Sequence, residues 1–165
     1  MARVSRQQMF MGIARLASQR ATCFRLNVGA MVVHDNNPIA MGYNGQRPGE
    51  DHCQGNECPG IIPGNCGTFH AEVNALTKAS TLLASSAGVG KWPAEVDLYC
   101  TDSPCGYCTT FILENTPLRV TRIFYGTPYR DTSHLGRFFG ITEVYQITPA
   151  GYIVDHFTRK VIELP

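Results

Sequence analysis

Apolar positions along this chain recur with two periods, one of helices and one of strands, and the two alternate. Ser5 with Gln8 forms a capping box that opens a helix, in which Met9, Ile13 and Leu16 fall on one face. Val28 to Val33 is an apolar run of strand length; Asp35-Asn36-Asn37-Pro38 reads as a turn and Ile39 to Tyr43 as its antiparallel partner. From Asn44 to Gly67 the periodicity is lost, and Gly, Pro and Cys accumulate. A loop that long inside a compact domain is normally functional or pinned by something. Thr68 caps a second helix with Val73, Leu76 and Leu83 on its apolar side. Val96 to Cys100 is a strand, after which Pro104 at N1 opens a helix containing Cys105, Cys108, Phe111 and Ile112. Val120 to Tyr125 is a strand, a short helix lies near Leu135 to Phe139, and Ile141 to Ile147 ends the main pattern. Pro149-Ala150-Gly151 then turns the chain into a terminal hairpin, Tyr152 to Phe157 with Val161 to Leu164.

Strands alternating with helices predict a three-layer α/β/α fold around a mixed five-stranded central sheet. The 165 residues suit one domain over 1–165, with a core of about 5–147 and the hairpin over 148–165. With 44% hydrophobic and 16% charged residues the chain reads as globular. Its net charge of +1 gives no basic field for non-specific nucleic-acid binding, so a small substrate is expected and no nucleic-acid partner. The segment Met1 to Gln8 lacks the apolar core of a signal peptide, and no apolar run approaches bilayer thickness. Seven cysteines in that setting imply a reducing, cytoplasmic compartment with no membrane partner, where thiols serve metals or catalysis.

The chemistry concentrates in His70-Ala71-Glu72 and Pro104-Cys105-Gly106-Tyr107-Cys108. A histidine and two cysteines offer three zinc ligands and leave one tetrahedral position open for water. Either piece alone is weak: a histidine beside a glutamate is usually a surface pair, and C-x-x-C also serves redox pairs and structural zinc sites. Together, in this order and with the proline, they form the H-x-E…P-C-x-x-C signature of zinc-dependent base deaminases. His70, Cys105 and Cys108 all fall at helix N-termini, where the macrodipole favours thiolate over thiol. Zinc acidifies the bound water, which attacks an sp² carbon bearing an amino group. Glu72 is the catalytic residue, moving the two water protons in turn, one to the ring nitrogen and one to the departing amine. Of the other five cysteines, Cys100 sits in an apolar strand and reads as core. Cys23, Cys53, Cys58 and Cys66 offer four thiolates for a structural zinc pinning the loop, or are reduced thiols without a metal.

Cys23 to Ala30, Gly42-Tyr43-Asn44-Gly45, His70 to Ala75 and Pro104-Cys105…Cys108, with Tyr129-Arg130-Asp131 beyond them, resemble the deoxycytidylate deaminases in that order. The resemblance covers about residues 5–147 and implies a cytidine-deaminase-like fold. It implies deamination of dCMP to dUMP and ammonia, supplying dUMP for thymidylate synthesis; the alternatives are dCTP, a free base or a nucleoside. Family members carry a structural zinc in the loop, with His52 as a substitute for one thiolate. Arg25 and Asn27 stand where the family places phosphate-binding side chains, although Arg25 also reads as a solvated charge. Asn44 is the candidate for the sugar 3′-hydroxyl and phosphate, or a turn-former in the left-handed region. Val28 and the backbone near Ala71 frame the base, and Tyr129 reaches phosphate, stacks or packs. The resemblance also implies a homo-oligomer, the hexamer favoured, with dCTP and dTTP as effectors. Gln46-Arg47-Pro48, Glu114-Asn115-Thr116-Pro117 and the terminal hairpin depart from the family pattern. Two other classes stand beside the enzyme: a zinc-dependent nucleic-acid-binding module, and a silent paralogue acting as a regulatory subunit.

Overall fold

The structure, a computed structural model, describes residues 3–53, 67–85 and 92–164. Helix α1 (Arg6–Ser18) starts with the expected capping box: the Gln8 amide donates to the Ser5 hydroxyl, and the Ser5 amide to the Gln8 side chain. Its buried face differs from the predicted one. Phe10, Met11, Ala14 and Ala17 are buried, whereas Met9 and Leu16 are exposed. The cause is the closeness of α1 to the sheet. A Cβ at Gly29 would lie 1.9 Å from the Ala14 carbonyl oxygen, so the helix turns its alanine-bearing side inward.

Strands β1 (Gly29–His34) and β2 (Asn37–Tyr43) form the predicted hairpin. Asp35 and Asn36 take φ of 47° and 61°, the left-handed pair that matches the twist of the flanking strands. Helix α2 (Ala71–Ser85) starts later than Thr68. Phe69 exchanges both backbone hydrogen bonds with Gly45 and holds the chain extended, so His70 becomes the cap, its carbonyl accepting from the Asn74 amide. Strand β3 (Glu95–Asp102) leads to α3 (Gly106–Thr110), with Cys105 at the N-cap and Pro104 just before the cap rather than at the predicted N1 position. The helix widens into a π-turn, Phe111–Asn115. Strands β4 (Arg119–Thr127) and β5 (Glu143–Ile147) flank a 3-10 helix, Ser133–Phe138. The hairpin β6 (Ile153–Asp155) and β7 (Val161–Ile162) closes the chain.

The sheet has seven strands rather than five, in the order β2-β1-β3-β4-β5-β6-β7. The five expected strands are present; the other two are the hairpin, which pairs onto β5 with Tyr145 opposite Asp155 and Ile147 opposite Ile153. Pairings β3–β4 and β4–β5 are parallel and the rest antiparallel, giving a mixed α/β fold. Two-residue periodicity separates two cores. Ala30, Val32, Leu98, Cys100, Ile123 and Val144 pack with α2, the π-turn and the 3-10 helix. Met31, Val33, Tyr99, Phe124 and Tyr145 pack with Phe10, Met11 and Ala14 of α1. Tyr99 and Phe124 stack at 4.5 Å, and Phe10 meets Tyr99 edge-on at 5.3 Å. Among the described residues no helix is long and apolar enough to cross a membrane.

Gly42 seats α2 as Gly29 seats α1: a Cβ there would lie 2.4 Å from the Ala71 carbonyl oxygen and 2.6 Å from the Ala75 nitrogen. Backbone cannot yield as a flexible side chain does. Gly42→Ala should therefore lower the stability measured by denaturant unfolding by about 1–3 kcal/mol. Gly12→Ala, on the open side of α1 with nothing near its Cβ, should raise it by about 0.5–1 kcal/mol.

Candidate active site

The ends of two helices meet above the sheet. His70, the cap of α2, places Nδ1 3.4 Å from Cys105 Sγ and 3.3 Å from Cys108 Sγ. Cys105 caps α3 without using its own side chain for the cap, and Cys108 is fully buried one turn in. The three donor atoms lie within 4.8 Å of one another. A zinc tetrahedron with bonds of about 2.0 Å to nitrogen and about 2.3 Å to sulfur has N···S edges of about 3.6 Å, so the donors fit that ion with small adjustment. The thiols already favour a shared negative charge. The hydrogen bond between them holds Cys105 down at about 4 and pushes Cys108 well above the usual thiol range. The Tyr107 ring, 5.4 Å from the His70 ring, covers one side of the imidazole.

Glu72 enters the same space from the first turn of α2 and is only 4% exposed. Burial pushes its carboxyl up to about 6; a backbone hydrogen bond and His70 pull in the other direction. Burial and a raised pKa suit a group that both takes and gives a proton near neutrality. The same cavity is lined by Arg25, Val28, Asn44, Ala71 and Tyr129, five of the six residues expected to contact a substrate. Asn27, the sixth, is exposed and is not part of the lining.

Asn44 is not in the left-handed region. Its side chain binds the segment before β1, with Oδ1 accepting from the Val28 amide at 2.8 Å and Nδ2 donating to the Leu26 carbonyl at 2.7 Å. Asp102 and Ser103 also line the cavity and were missed from the sequence. The signal was strand parity: Leu98 and Cys100 face α2, so Asp102 must point the same way. The Asp102 carboxylate accepts from the Thr101 hydroxyl at 2.9 Å, and burial pushes its pKa up. A further missed residue is His134 on the 3-10 helix, whose Nε2 donates to the Pro104 carbonyl at 2.7 Å, directly before Cys105. Arg137, one turn on, donates to Thr110 at 2.7 Å and pairs with Glu114. These contacts tie the 3-10 helix to α3.

The proposed structural-zinc ligands are only partly visible. Cys23 is buried, and the Cys53 sulfur accepts from the Gln46 side-chain Nε2 at 3.1 Å. Cys58 and Cys66 lie outside the described residues. Among the described residues, His70, Cys105 and Cys108 are the one group of three or more metal-ligating side chains, so Cys23, His52 and Cys53 form no second group by themselves. Cys100 is fully buried in the core, as expected.

Residues 4–127 match the cytidine and deoxycytidylate deaminase zinc-binding region. The chain belongs to this family of zinc-dependent hydrolytic deaminases. His70, Glu72, Cys105 and Cys108 all fall within the matched span, whereas Tyr129 and the 3-10 helix lie beyond it. ComE operon protein 2 of Bacillus subtilis is 33% identical over 164 residues, covering 97% of this chain and 80% of its own length. The deoxycytidylate deaminase of Mycobacterium phage D29 is 34% identical over 127 residues, covering 68% of this chain and 89% of the phage protein. The Schizosaccharomyces pombe deoxycytidylate deaminase is 33% identical over 80% of this chain, which spans only 40% of that enzyme. Among solved structures, the dCMP deaminase of cyanophage S-TIM5 in complex with dCMP and dUMP has a TM-score of 0.68 at 30% identity. It covers 88% of this chain and 99% of its own.

His134 gives a test of how the site is held. Partners that orient a metal ligand typically change metal affinity by about 10–100-fold when removed. His134→Ala should weaken zinc retention by that order in competition with a chelator, and His134→Gln, which keeps a donor, should recover part of it.

Proposed function

We propose that this chain deaminates dCMP to dUMP and ammonia, acting as one domain with His70, Cys105 and Cys108 as ligands of the catalytic zinc. The observation that carries this reading is the meeting of those three donors beside a cavity whose wall holds His70, Cys105 and the buried Glu72. Bound there, zinc supplies a Lewis acid that lowers the pKa of water toward neutrality. Everything else falls to the chain itself. Glu72 takes one proton from the water and passes it to N3 of the cytosine, so that C4 becomes electrophilic and bonds the water oxygen. It then takes the remaining hydroxyl proton to the amino group, which leaves as ammonia as the C4–N bond breaks and C4=O forms. Its raised pKa lets one carboxyl serve each transfer. Val28 and Ala71 frame the base. Asn44, whose amide already holds the Val28 backbone, offers its second N–H to the sugar. Arg25 and Tyr129, on the same lining, take the phosphate. Asn27, exposed and outside the lining, is left out of this reading.

The named dCMP deaminases among the relatives support dCMP over dCTP or a free nucleoside. The proposal includes a second, structural zinc on Cys23, Cys53, Cys58 and Cys66, with His52 able to replace one thiolate. Assembly into a homo-oligomer, the hexamer favoured, control by dCTP and dTTP, and a cytoplasmic site of action complete it on family resemblance.

Ammonia release measured with dCMP, dCTP, deoxycytidine and cytidine tests the substrate, and dCMP should be turned over best. Glu72→Ala should keep its fold and its zinc while kcat falls by about 10²–10⁴-fold. Near-normal turnover at full zinc content would remove Glu72 from the mechanism. Metal analysis should return two zincs per chain, with Cys58→Ser or Cys66→Ser reducing the count toward one and Cys100→Ser leaving it unchanged. A single zinc in the unaltered protein, with freely alkylated loop cysteines, would dispose of the structural site.

A further inference from the structure

The catalytic cavity shares part of its wall with a second chamber, and the two differ in charge. The outer chamber shares Arg25, Thr68, His70, Cys105 and Tyr129 with the inner one and adds Arg47 and Tyr107. Both carboxylates of the site, Glu72 and Asp102, line the inner chamber. Among the described residues no carboxylate lines the outer one, which holds two guanidinium groups instead. A nucleoside monophosphate has the same polarity, with amino hydrogens at one end and a dianion at the other.

Arg47 belongs to Gln46-Arg47-Pro48, where the chain departs from the pattern it otherwise resembles. Its backbone is fixed from several directions. Gly45 pairs with Phe69 through two hydrogen bonds of 2.9 and 3.1 Å, and the Gln46 amide donates to the Thr22 hydroxyl at 3.0 Å. The Arg47 amide donates to the Glu50 carboxylate at 3.2 Å. The guanidinium carbon lies 5.6 Å from the centre of the Phe69 ring, and Phe69 is the residue before His70. A guanidinium held over an aromatic ring can still offer N–H groups to a planar or tetrahedral oxyanion. The contact ties a cation to the segment that carries the first metal ligand.

We propose that Arg47 is a specificity-determining residue that binds the phosphate monoester of the substrate at the cavity mouth, together with Arg25. This rests on the reading of the chain as a nucleotide deaminase and deepens it. Arg47 stands away from the reacting carbon, so its contribution lies in capture and orientation of the nucleotide. A guanidinium fork delivers two parallel hydrogen bonds to a phosphate, which a lysine ammonium does not.

The test compares dCMP with deoxycytidine in the unaltered enzyme, Arg47→Ala and Arg47→Lys, with inorganic phosphate as a competitor of dCMP. Arg47 is exposed, so the substitutions leave the core untouched. In Arg47→Ala, kcat/KM for dCMP should fall by about 10–100-fold, mainly through KM, while that for deoxycytidine stays within about twofold. Arg47→Lys should lie between, and inhibition by inorganic phosphate should weaken in the same order. An unchanged dCMP-to-deoxycytidine ratio in Arg47→Ala, or an equal loss on both substrates, overturns the role of Arg47 and leaves the nucleotide assignment standing. If the unaltered enzyme shows no preference for dCMP, the assignment and the role of Arg47 fall together.

Discussion

The site depends on a contact between backbones, that of β2 at Gly42 and that of the first turn of α2. Carbonyl Ala71 and amide Ala75 lie where any side chain of residue 42 would have to go. The helix is therefore set down on the sheet at a distance that no rotamer can adjust, and Asn74 pins it by donating to the Tyr43 carbonyl at 2.9 Å. His70 and Glu72 inherit that position. Their partners reach the site along β3, which pairs with β1 through Ala30 and Cys100, while Ala30 also faces Gly42 across the hairpin. One ladder of hydrogen bonds thus measures the separation of the two halves. Lifting α2 by the thickness of a methyl group would move a histidine and a carboxylate while leaving both thiols in place.

Electrostatics then decides what the arrangement can do. Two helix N-termini converge on the thiols and the imidazole, and the positive ends of both favour the anionic ligands a divalent cation needs. Burial acts against charge on Glu72 in the same space, and the outcome is a carboxyl poised near neutrality beside a low-pKa thiol. These two tendencies would cancel in an open, solvated cleft. They coexist because Cys108 and Glu72 are deeply buried while Cys105 is only partly so. The His134 contact to the Pro104 carbonyl adds a constraint from outside the matched family span, through a short 3-10 helix.

Strand identities and the grouping of His70 with Cys105 and Cys108 were legible in the sequence because both follow from local rules: two-residue alternation, turn chemistry at Asp35-Asn36, and the order of His, Glu and paired Cys. What was not legible depended on distance of approach. The face of α1 was misread because Met9 and Leu16 are larger than Ala14 and Ala17, yet the sheet at Gly29 admits only the smaller side. The start of α2 shifted for a similar reason: Phe69 is held by Gly45, and no local cap signal reports a long-range pair. The two extra strands were read as a hairpin, but nothing in their pattern said they would pair onto β5. Asp102 was within reach, had parity been carried one step past Cys100. His134 was not, since its partner is a carbonyl on another element.

The terminal hairpin has a consequence for how the sheet ends. Strand β7 is only two residues long, and it follows Arg159, held at a φ of 59°, and Lys160. A chain approaching that margin would find few backbone groups to pair with and two cations at the point of contact. The opposite margin, β2, runs for seven residues. The molecule is thus asymmetric toward its neighbours: one border of the sheet is blunted against propagation, and the border that remains long belongs to the strand on which α2 rests.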